Sequence, residues 1–114
     1  MTERASGVVQ GTLEMLILRT LTLEPMHGYG IGTRLTQISA GVLQVNGGSL
    51  FPALARLERS GFIKGEWRST ENSRRAKYYC ITAQGRAKLK RETRDWEVQS
   101  DAIGRVLRAS LGEL

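Results

Sequence analysis

The hydrophobic period of this sequence changes twice, and those changes constrain the fold more than any other feature. From Thr12 to Gly61, apolar residues recur every three to four positions, which is typical of amphipathic helices. From Phe62 to Thr82, two runs rich in aromatic and β-branched residues flank a polar turn, which indicates a hairpin. The helical period then returns. With 114 residues, the chain is long enough to bury one core made from these elements.

The first helix is predicted over roughly 13–24, with Thr12 as its N-cap. Met15 and Leu18 lie opposite its main apolar stripe, so this helix is apolar nearly all round. In so short a chain, we expect the second apolar side to contact a partner subunit.

A second helix is predicted over about 28–39, with Gly41 just beyond its end. His27 is expected to cap this helix or pack at its start. Residues 1–10 show no periodicity and are expected to form a loose arm.

The segment "GGSLFPALARLERSG" predicts a third helix, with Ser49 as N-cap and Gly61 after its end. Pro52 then falls in the first turn, where backbone N–H groups have no helical partner, so the proline removes no hydrogen bond. The outer face carries Ser49, Pro52, Arg56 and Arg59. Because free N–H groups and the helix dipole attract phosphate, such a helix is suited to a DNA groove.

The hairpin strands are predicted at 62–67 and 77–82, with a basic turn between them. Period-two alternation places Tyr79 inward with Ile81, and it turns Tyr78 outward.

A long final helix is predicted over about 83–110, capped by Thr82. Leu89, Trp96 and Ile103 recur every seven residues in it, which indicates a seam for another helix.

Positive charge is concentrated in one part of the chain. Residues 56–94 hold twelve Lys or Arg against four Glu, a net charge of +8, whereas the whole chain carries +6. The remainder is therefore −2, and such segregation indicates a polyanion-binding surface.

Other function classes lack the residues they require. One histidine, His27, and two aspartates, Asp95 and Asp101, supply no catalytic triad and no metal site, so no enzyme activity, cofactor or metal is expected. No apolar run approaches the ~20 residues that a bilayer requires, so no membrane partner is expected. The single cysteine, Cys80, permits no internal disulfide and is consistent with a reducing, cytoplasmic location.

Three helices followed by a two-stranded wing and a long helix predict a mainly α (α+β) winged helix-turn-helix fold. The segments "GTLEMLILRTL", "HGYGI", "GSLFPALARLERSGFI" and "RAKYYCITAQG" resemble the PadR-type transcriptional regulators. The resemblance implies a DNA-binding domain over 11–82 and a dimerisation helix over 83–114. It also implies a homodimeric repressor that binds a two-fold symmetric operator and is released by a small molecule.

Carried over to this sequence, the resemblance places DNA contacts on the third helix and the wing. The predicted DNA-binding residues are Arg34, Ser49, Phe51, Pro52, Arg56, Arg74, Arg75 and Lys77. Phe51 stands where the family usually has tyrosine, so a phosphate hydrogen bond from that hydroxyl is missing.

The predicted dimer interface combines the first and last helices. Its residues are Met15, Leu18, Leu89, Trp96, Ile103 and Leu107. Trp96 has two interpretations: both rings fill the dimer core, or they leave a slot for a flat aromatic effector. In the second interpretation, the pocket residues are Met15, Thr93, Trp96 and Ser100.

Three function classes therefore stay open. The first is a ligand-responsive dimeric repressor. The second is a DNA-binding regulator without a small ligand, controlled by its abundance or by a protein partner. The third is a winged-helix module used only for protein interaction, which salt-dependent DNA binding would distinguish from the other two.

Overall fold

The computed structural model describes residues 8–9, 11–72 and 74–113. In chain order its elements are α1 (Leu13–Leu21), β1 (Met26–His27), α2 (Gly28–Ile38), α3 (Gly47–Arg59), β2 (Ile63–Ser69), β3 (Arg75–Ile81) and α4 (Ala83–Arg108), followed by a 3-10 turn (Leu111–Glu113). This is a mainly α winged helix-turn-helix fold, so the predicted fold class is confirmed. Most of the predicted arm, residues 1–7 and 10, lies outside the described residues.

Helix α1 lies at the centre of the protomer, where it packs against α2, α3, α4 and β3. Its own chain therefore covers both apolar sides. Leu18 is 0% exposed and belongs to the core together with Ile17. Other elements of the same chain cover this side of α1. The prediction that Leu18 contacts a partner subunit is therefore wrong.

The starts of α1 and α2 differ in how they are capped. His27 accepts a 3.0 Å hydrogen bond at Nδ1 from the backbone N–H of Gly30, so its predicted role as a cap of α2 is confirmed. Thr12 occupies the N-cap position of α1, but its hydroxyl donates to the carbonyl of Val9 at 2.6 Å. The side chain of Thr12 therefore stabilises the preceding turn and does not cap the helix.

Helix α3 begins earlier than the sequence predicts. Asn46 is its N-cap, and Asn46 Oδ1 accepts a 2.9 Å hydrogen bond from the N–H of Ser49. Ser49 is therefore not the cap, and Pro52 lies in the second turn of the helix. The Gly48 carbonyl cannot receive the usual hydrogen bond from position 52. Because Gly48 and Pro52 are both exposed, water can reach that carbonyl.

The wing is an antiparallel hairpin whose register places Ile63 opposite Ile81 and Trp67 opposite Lys77. The short strand β1 adds a third strand that the sequence did not predict, and the strand order is β1-β3-β2. Tyr79 is buried on the inner face, as predicted.

The turn after α3 and the start of α4 are joined through Thr82. Its hydroxyl donates to the carbonyl of Gly61 at 2.7 Å and accepts from the N–H of Gly85 at 3.0 Å. Gly61 has a φ of +82°, a left-handed conformation that glycine adopts without strain. The predicted cap of α4 and the predicted end of α3 are both confirmed.

Helix α4 packs on α1, and it is the longest of the described helices. At 1.5 Å per residue it is about 39 Å long, in a molecule whose largest extent is 64 Å. Leu89 packs against the core, whereas Trp96, Ile103 and Leu107 are exposed.

Candidate nucleic-acid interface

The outward face of α3 collects three of the predicted DNA contacts on one surface. Ser49, Pro52 and Arg56 are all exposed, and they line a single cleft together with the helix cap Asn46. Since the first backbone N–H groups of α3 lie at this cleft, the surface combines a helix N-terminus with an arginine. Both features attract phosphate.

Arg56 is held in place by α1. Its Nε lies 3.0 Å from Glu14 Oε2, and Glu14 Oε1 lies 3.9 Å from Lys88 of α4. The contact uses Nε, and a guanine can still be bound bidentately through the two terminal nitrogens. The sequence did not predict this restraint, because 42 residues separate Glu14 from Arg56.

Phe51 packs between α2 and α3. Its ring lies edge to face with Tyr29, at 5.6 Å between centroids. A Cβ added to Gly28 would lie 2.5 Å from the Phe51 ring, so the two helices approach each other closely at this point. Phe51 therefore stabilises the helix-turn-helix and also remains exposed at its surface.

The turn of the wing presents arginines beside an exposed tryptophan. Arg74 is exposed, and the Arg75 guanidinium lies 5.6 Å from the centroid of the Trp67 ring. Trp67 is 57% exposed, which is unusual for so large an apolar side chain unless the surface has a function. These residues form the part of the wing that a DNA backbone would approach.

Lys77 has a partner within the protomer. Its Nζ donates a 2.9 Å hydrogen bond to Glu58 of α3, and this bond raises the pKa of Lys77. While the ion pair is intact, the phosphate contact predicted for Lys77 is not available. Its role in the free protein is to tie the wing to α3.

Arg34 lies on α2 in a neighbouring cleft that Tyr29 and Tyr78 also line. One guanidinium nitrogen is 3.3 Å from Glu24 Oε2, and both side chains are substantially exposed. Because exposed ion pairs of this kind contribute little energy, a phosphate can replace Glu24 as the partner of Arg34.

Two of the four residues predicted for an effector pocket lie together. Met15 and Trp96 line a cavity of about 400 Å³ between α1 and α4, with Glu92 and Asp95 among its other lining residues. Thr93 instead lines a different cleft, which contains Arg19, Leu89 and three cationic residues of α4. Ser100 donates a hydrogen bond to the carbonyl of Glu97.

Tyr29 and Trp67 lie at this surface, although the sequence did not predict them there. Tyr29 is 76% exposed at the start of α2. The alternation of β2 places Trp67 on the same face as the buried Ile63. The strand continues beyond the core, however, so Trp67 lies on an exposed part of that face.

The model of the transcriptional regulator PadR-like family matches residues 17–91, about two thirds of the chain. The chain belongs to the PadR-like family. A transcriptional regulator from Clostridium thermocellum is 28% identical, with a TM-score of 0.78 over 85% of this chain and 94% of that one. A PadR-like regulator from Bacillus cereus is 27% identical, with a TM-score of 0.77 over 90% of this chain and 97% of that one.

Two further proteins are similar to this chain. A PadR family regulator from Eggerthella lenta is 31% identical, with a TM-score of 0.77 over 89% of this chain and 86% of that one. A Lysinibacillus sphaericus protein of uncharacterised function is 26% identical over 98 residues, which are 86% of this chain and 90% of that one.

Membership of this family makes the protein a DNA-binding transcriptional regulator and not an enzyme. The described residues hold no group of three or more His, Cys, Asp or Glu side chains arranged for a metal ion. None of the helices in the described ranges has the length and hydropathy that crossing a bilayer requires.

Proposed function

We propose that this PadR-like regulator is a homodimeric repressor that binds a two-fold symmetric operator and is released by a small aromatic effector. One observation carries the proposal: the apolar row that α4 presents beyond the protomer's core. Trp96, Ile103 and Leu107 lie on one side of the helix, and Leu107 is 79% exposed. Exposed apolar side chains that share one side of a helix indicate a protein–protein interface.

A second copy of the chain is the partner that this row predicts. In this arrangement, residues 83–114 form the dimerisation helix and residues 11–82 form the DNA-binding domain of each protomer. Pairing through α4 gives two copies of α3 related by a two-fold axis, and such a dimer binds half-sites about one helical turn apart. A dimer that occupies a promoter in the cytoplasm represses transcription by excluding other proteins from the same DNA.

The effector is proposed to bind beside Trp96. The cavity of about 400 Å³ has the size of a small-molecule site, and Met15 and Trp96 give it an apolar, polarizable wall. Asp95 and Glu92 also line it, and Glu92 is paired with Lys88 at 2.8 Å. Because of Asp95, an aromatic compound with a positive charge is expected to bind better than a neutral one. A ligand at the α4 interface changes the spacing of the two α3 helices, and the effect is limited by its difference in affinity for the two states.

Selection of binding sites from a random DNA pool by the purified protein tests this proposal. The expected result is a recovered sequence with two-fold symmetry and with half-sites about 10 base pairs apart, since one α3 helix contacts each half. A recovered site without symmetry would contradict the homodimer. If a symmetric site is recovered but no aromatic compound releases it, the regulator acts without a small ligand.

A further inference from the structure

A second cavity lies between the recognition helix α3 and the wing. Its volume is about 490 Å³, which lies in the range of small-molecule sites. Aromatic rings from four different elements line it: Tyr29 of α2, Phe51 of α3, Trp67 of β2 and Tyr79 of β3. It is separate from the cavity beside Trp96, with which it shares no lining residue.

The rings of this cleft are accessible from outside the protein. Tyr29, Phe51 and Trp67 are all exposed, and only Tyr79 is buried. In a B-form duplex the faces of the bases are covered by their neighbours, so duplex DNA cannot stack on these rings. An unstacked base has free faces, and aromatic side chains bind such bases with little dependence on sequence.

The charges of the cleft favour a doubly negative ligand. Arg74 and Arg75 line it, and within the described ranges neither forms an ion pair with a carboxylate. Lys77 also lines it, but Glu58 neutralises that ammonium. Two guanidinium groups match the two negative charges of a phosphate monoester, whereas a carboxylate matches only one of them.

We propose that this cleft binds a mononucleotide, with the base stacked among Tyr29, Phe51 and Trp67 and the phosphate held by Arg74 and Arg75. The cleft separates the two elements that contact DNA, and its arginines are predicted to hold operator phosphates. Nucleotide and operator therefore compete for the same surface. The competition rests on the DNA-binding role of this face, and it requires neither the dimer nor the effector described above.

The binding test uses a Trp96→Phe variant, in which Trp67 is the remaining tryptophan. It is excited at the red edge of its absorption, where nucleotides do not absorb, and it is titrated separately with 5′-AMP, adenosine and inorganic phosphate. We expect saturable quenching by 5′-AMP. Adenosine and phosphate each lack half of the contacts, and each is expected to bind at least about tenfold more weakly. Calorimetry with 5′-AMP on the unmodified protein gives a second measurement that does not depend on the folding of the variant.

Two matched variants test the location of the site. Arg74→Gln removes a charge from the cleft, and Arg86→Gln removes the same charge from α4 outside it. Only Arg74→Gln is expected to weaken 5′-AMP binding, by about tenfold. Equal effects of the two changes would overturn the site, as would the absence of 5′-AMP binding by both methods. Binding of benzoate as tight as that of 5′-AMP would overturn the assignment of a phosphate ligand.

Competition is measured with a labelled DNA duplex. Added 5′-AMP is expected to raise the apparent Kd of the duplex linearly with the nucleotide concentration. Adenosine is expected to have no effect at the same concentration. Direct binding of the duplex without nucleotide establishes separately that the protein contacts DNA. If 5′-AMP binds but leaves the Kd of the duplex unchanged, the proposed overlap of the two sites is wrong.

Discussion

Lys77 in strand β3 of the wing donates a 2.9 Å hydrogen bond to Glu58 in the recognition helix α3. Gly65 on the neighbouring strand makes room for this pair, because a Cβ at that position would overlap the Lys77 side chain. The hydrogen bond from Lys77 to Glu58 raises the pKa of the lysine. The pair therefore fixes the position of the wing relative to α3, and both elements are predicted to contact DNA.

Glu58→Gln is expected to weaken DNA binding by roughly fivefold, which corresponds to about 1 kcal/mol. The wing then loses the ion pair between Lys77 and Glu58 that fixes its position on α3. Electrostatics alone predicts the opposite result, because the change removes a negative charge near DNA. Anisotropy of labelled duplex DNA measures the effect, and Lys77→Met serves as the matched variant. Tighter binding by Glu58→Gln would show that Lys77 acts mainly on phosphate and that Glu58 restrains it.

The stability of the protein is expected to decrease as the pH rises from about 10 to 12. The hydrogen bond to Glu58 raises the pKa of Lys77, and burial raises the pKa of Tyr79. A group whose pKa is raised by folding stabilises the protein below its unfolded pKa, and this contribution is lost as the pH passes the folded pKa. The urea midpoint, measured at several pH values, gives the size of the loss. Tyr79→Phe should reduce the pH dependence, and an unchanged profile in that variant would exclude a contribution from Tyr79.

Features set by neighbouring residues could be predicted from the sequence. Gly61 ends α3, Thr82 caps α4 and His27 caps α2, because each depends on a few adjacent residues and their backbone geometry. The start of α3 also depends on adjacent residues, but it was predicted wrongly because two cap residues compete there. Asn46 and Ser49 are both good cap residues within one turn, and only the path of the preceding chain decides between them.

Features that depend on distant residues could not be predicted. Periodicity shows that α1 is apolar on two sides, but it does not show that the same chain covers the side of Leu18. In the same way, composition marks Arg56 and Lys77 as basic, but their partners Glu14 and Glu58 come from other elements. The sequence therefore overestimates how many cations are available to phosphate.

DNA affinity is expected to fall steeply with salt, by about 0.9 units of log K per unit of log salt concentration for each neutralised phosphate. Arg74 of the wing has no ion pair within the described ranges. Arg74→Gln should therefore reduce the magnitude of the slope by about two in a dimer, which carries the residue twice. Anisotropy titrations at several salt concentrations give the slope, and Arg86→Gln on α4 is the charge-matched control. A binding constant independent of salt would contradict phosphate contacts altogether.

Arg56 and Arg75 are expected to differ in their effect on sequence specificity. Arg56 lies on the outward face of α3, so Arg56→Ala should weaken operator binding by about 1–3 kcal/mol. It should also reduce the difference in affinity between operator and random DNA. Arg75→Ala should weaken the binding of operator and of random DNA about equally, since the Arg75 guanidinium lies in the wing, where a phosphate contact is predicted. Binding of both variants to the selected operator and to a scrambled duplex gives the comparison. Equal losses for Arg56→Ala on the two duplexes would identify Arg56 as a phosphate contact.

Sedimentation at micromolar concentration is expected to give about twice the chain mass of 12.7 kDa. The exposed row of Trp96, Ile103 and Leu107 supplies the apolar area, which is worth roughly 25 cal/mol per Å² before the cost of association. Leu107→Glu should shift the protein to the monomer, because it places a charge at the most exposed position of that row. Val98→Glu is the matched control, since Val98 is exposed on the opposite side of α4. A monomeric unmodified protein would refute the proposed dimer.

Trp96 is expected to line an effector pocket, and ligand binding at this residue tests that expectation. In a Trp67→Phe background, planar aromatic compounds should quench Trp96 fluorescence saturably, and positively charged ones should bind more tightly because Asp95 lines the cavity. Asp95→Asn should remove that preference for charge while neutral compounds still bind. Trp96→Ala should abolish binding, which calorimetry measures because no tryptophan is left in that background. Sedimentation should show that the variant remains dimeric, and anisotropy should show that it binds DNA. If Trp96→Ala dissociates the dimer, Trp96 belongs to the dimer core. The same conclusion follows if no compound quenches the fluorescence of Trp96 in the Trp67→Phe protein. The protein would then be a regulator without this ligand site, because a filled interface leaves no space for an aromatic guest.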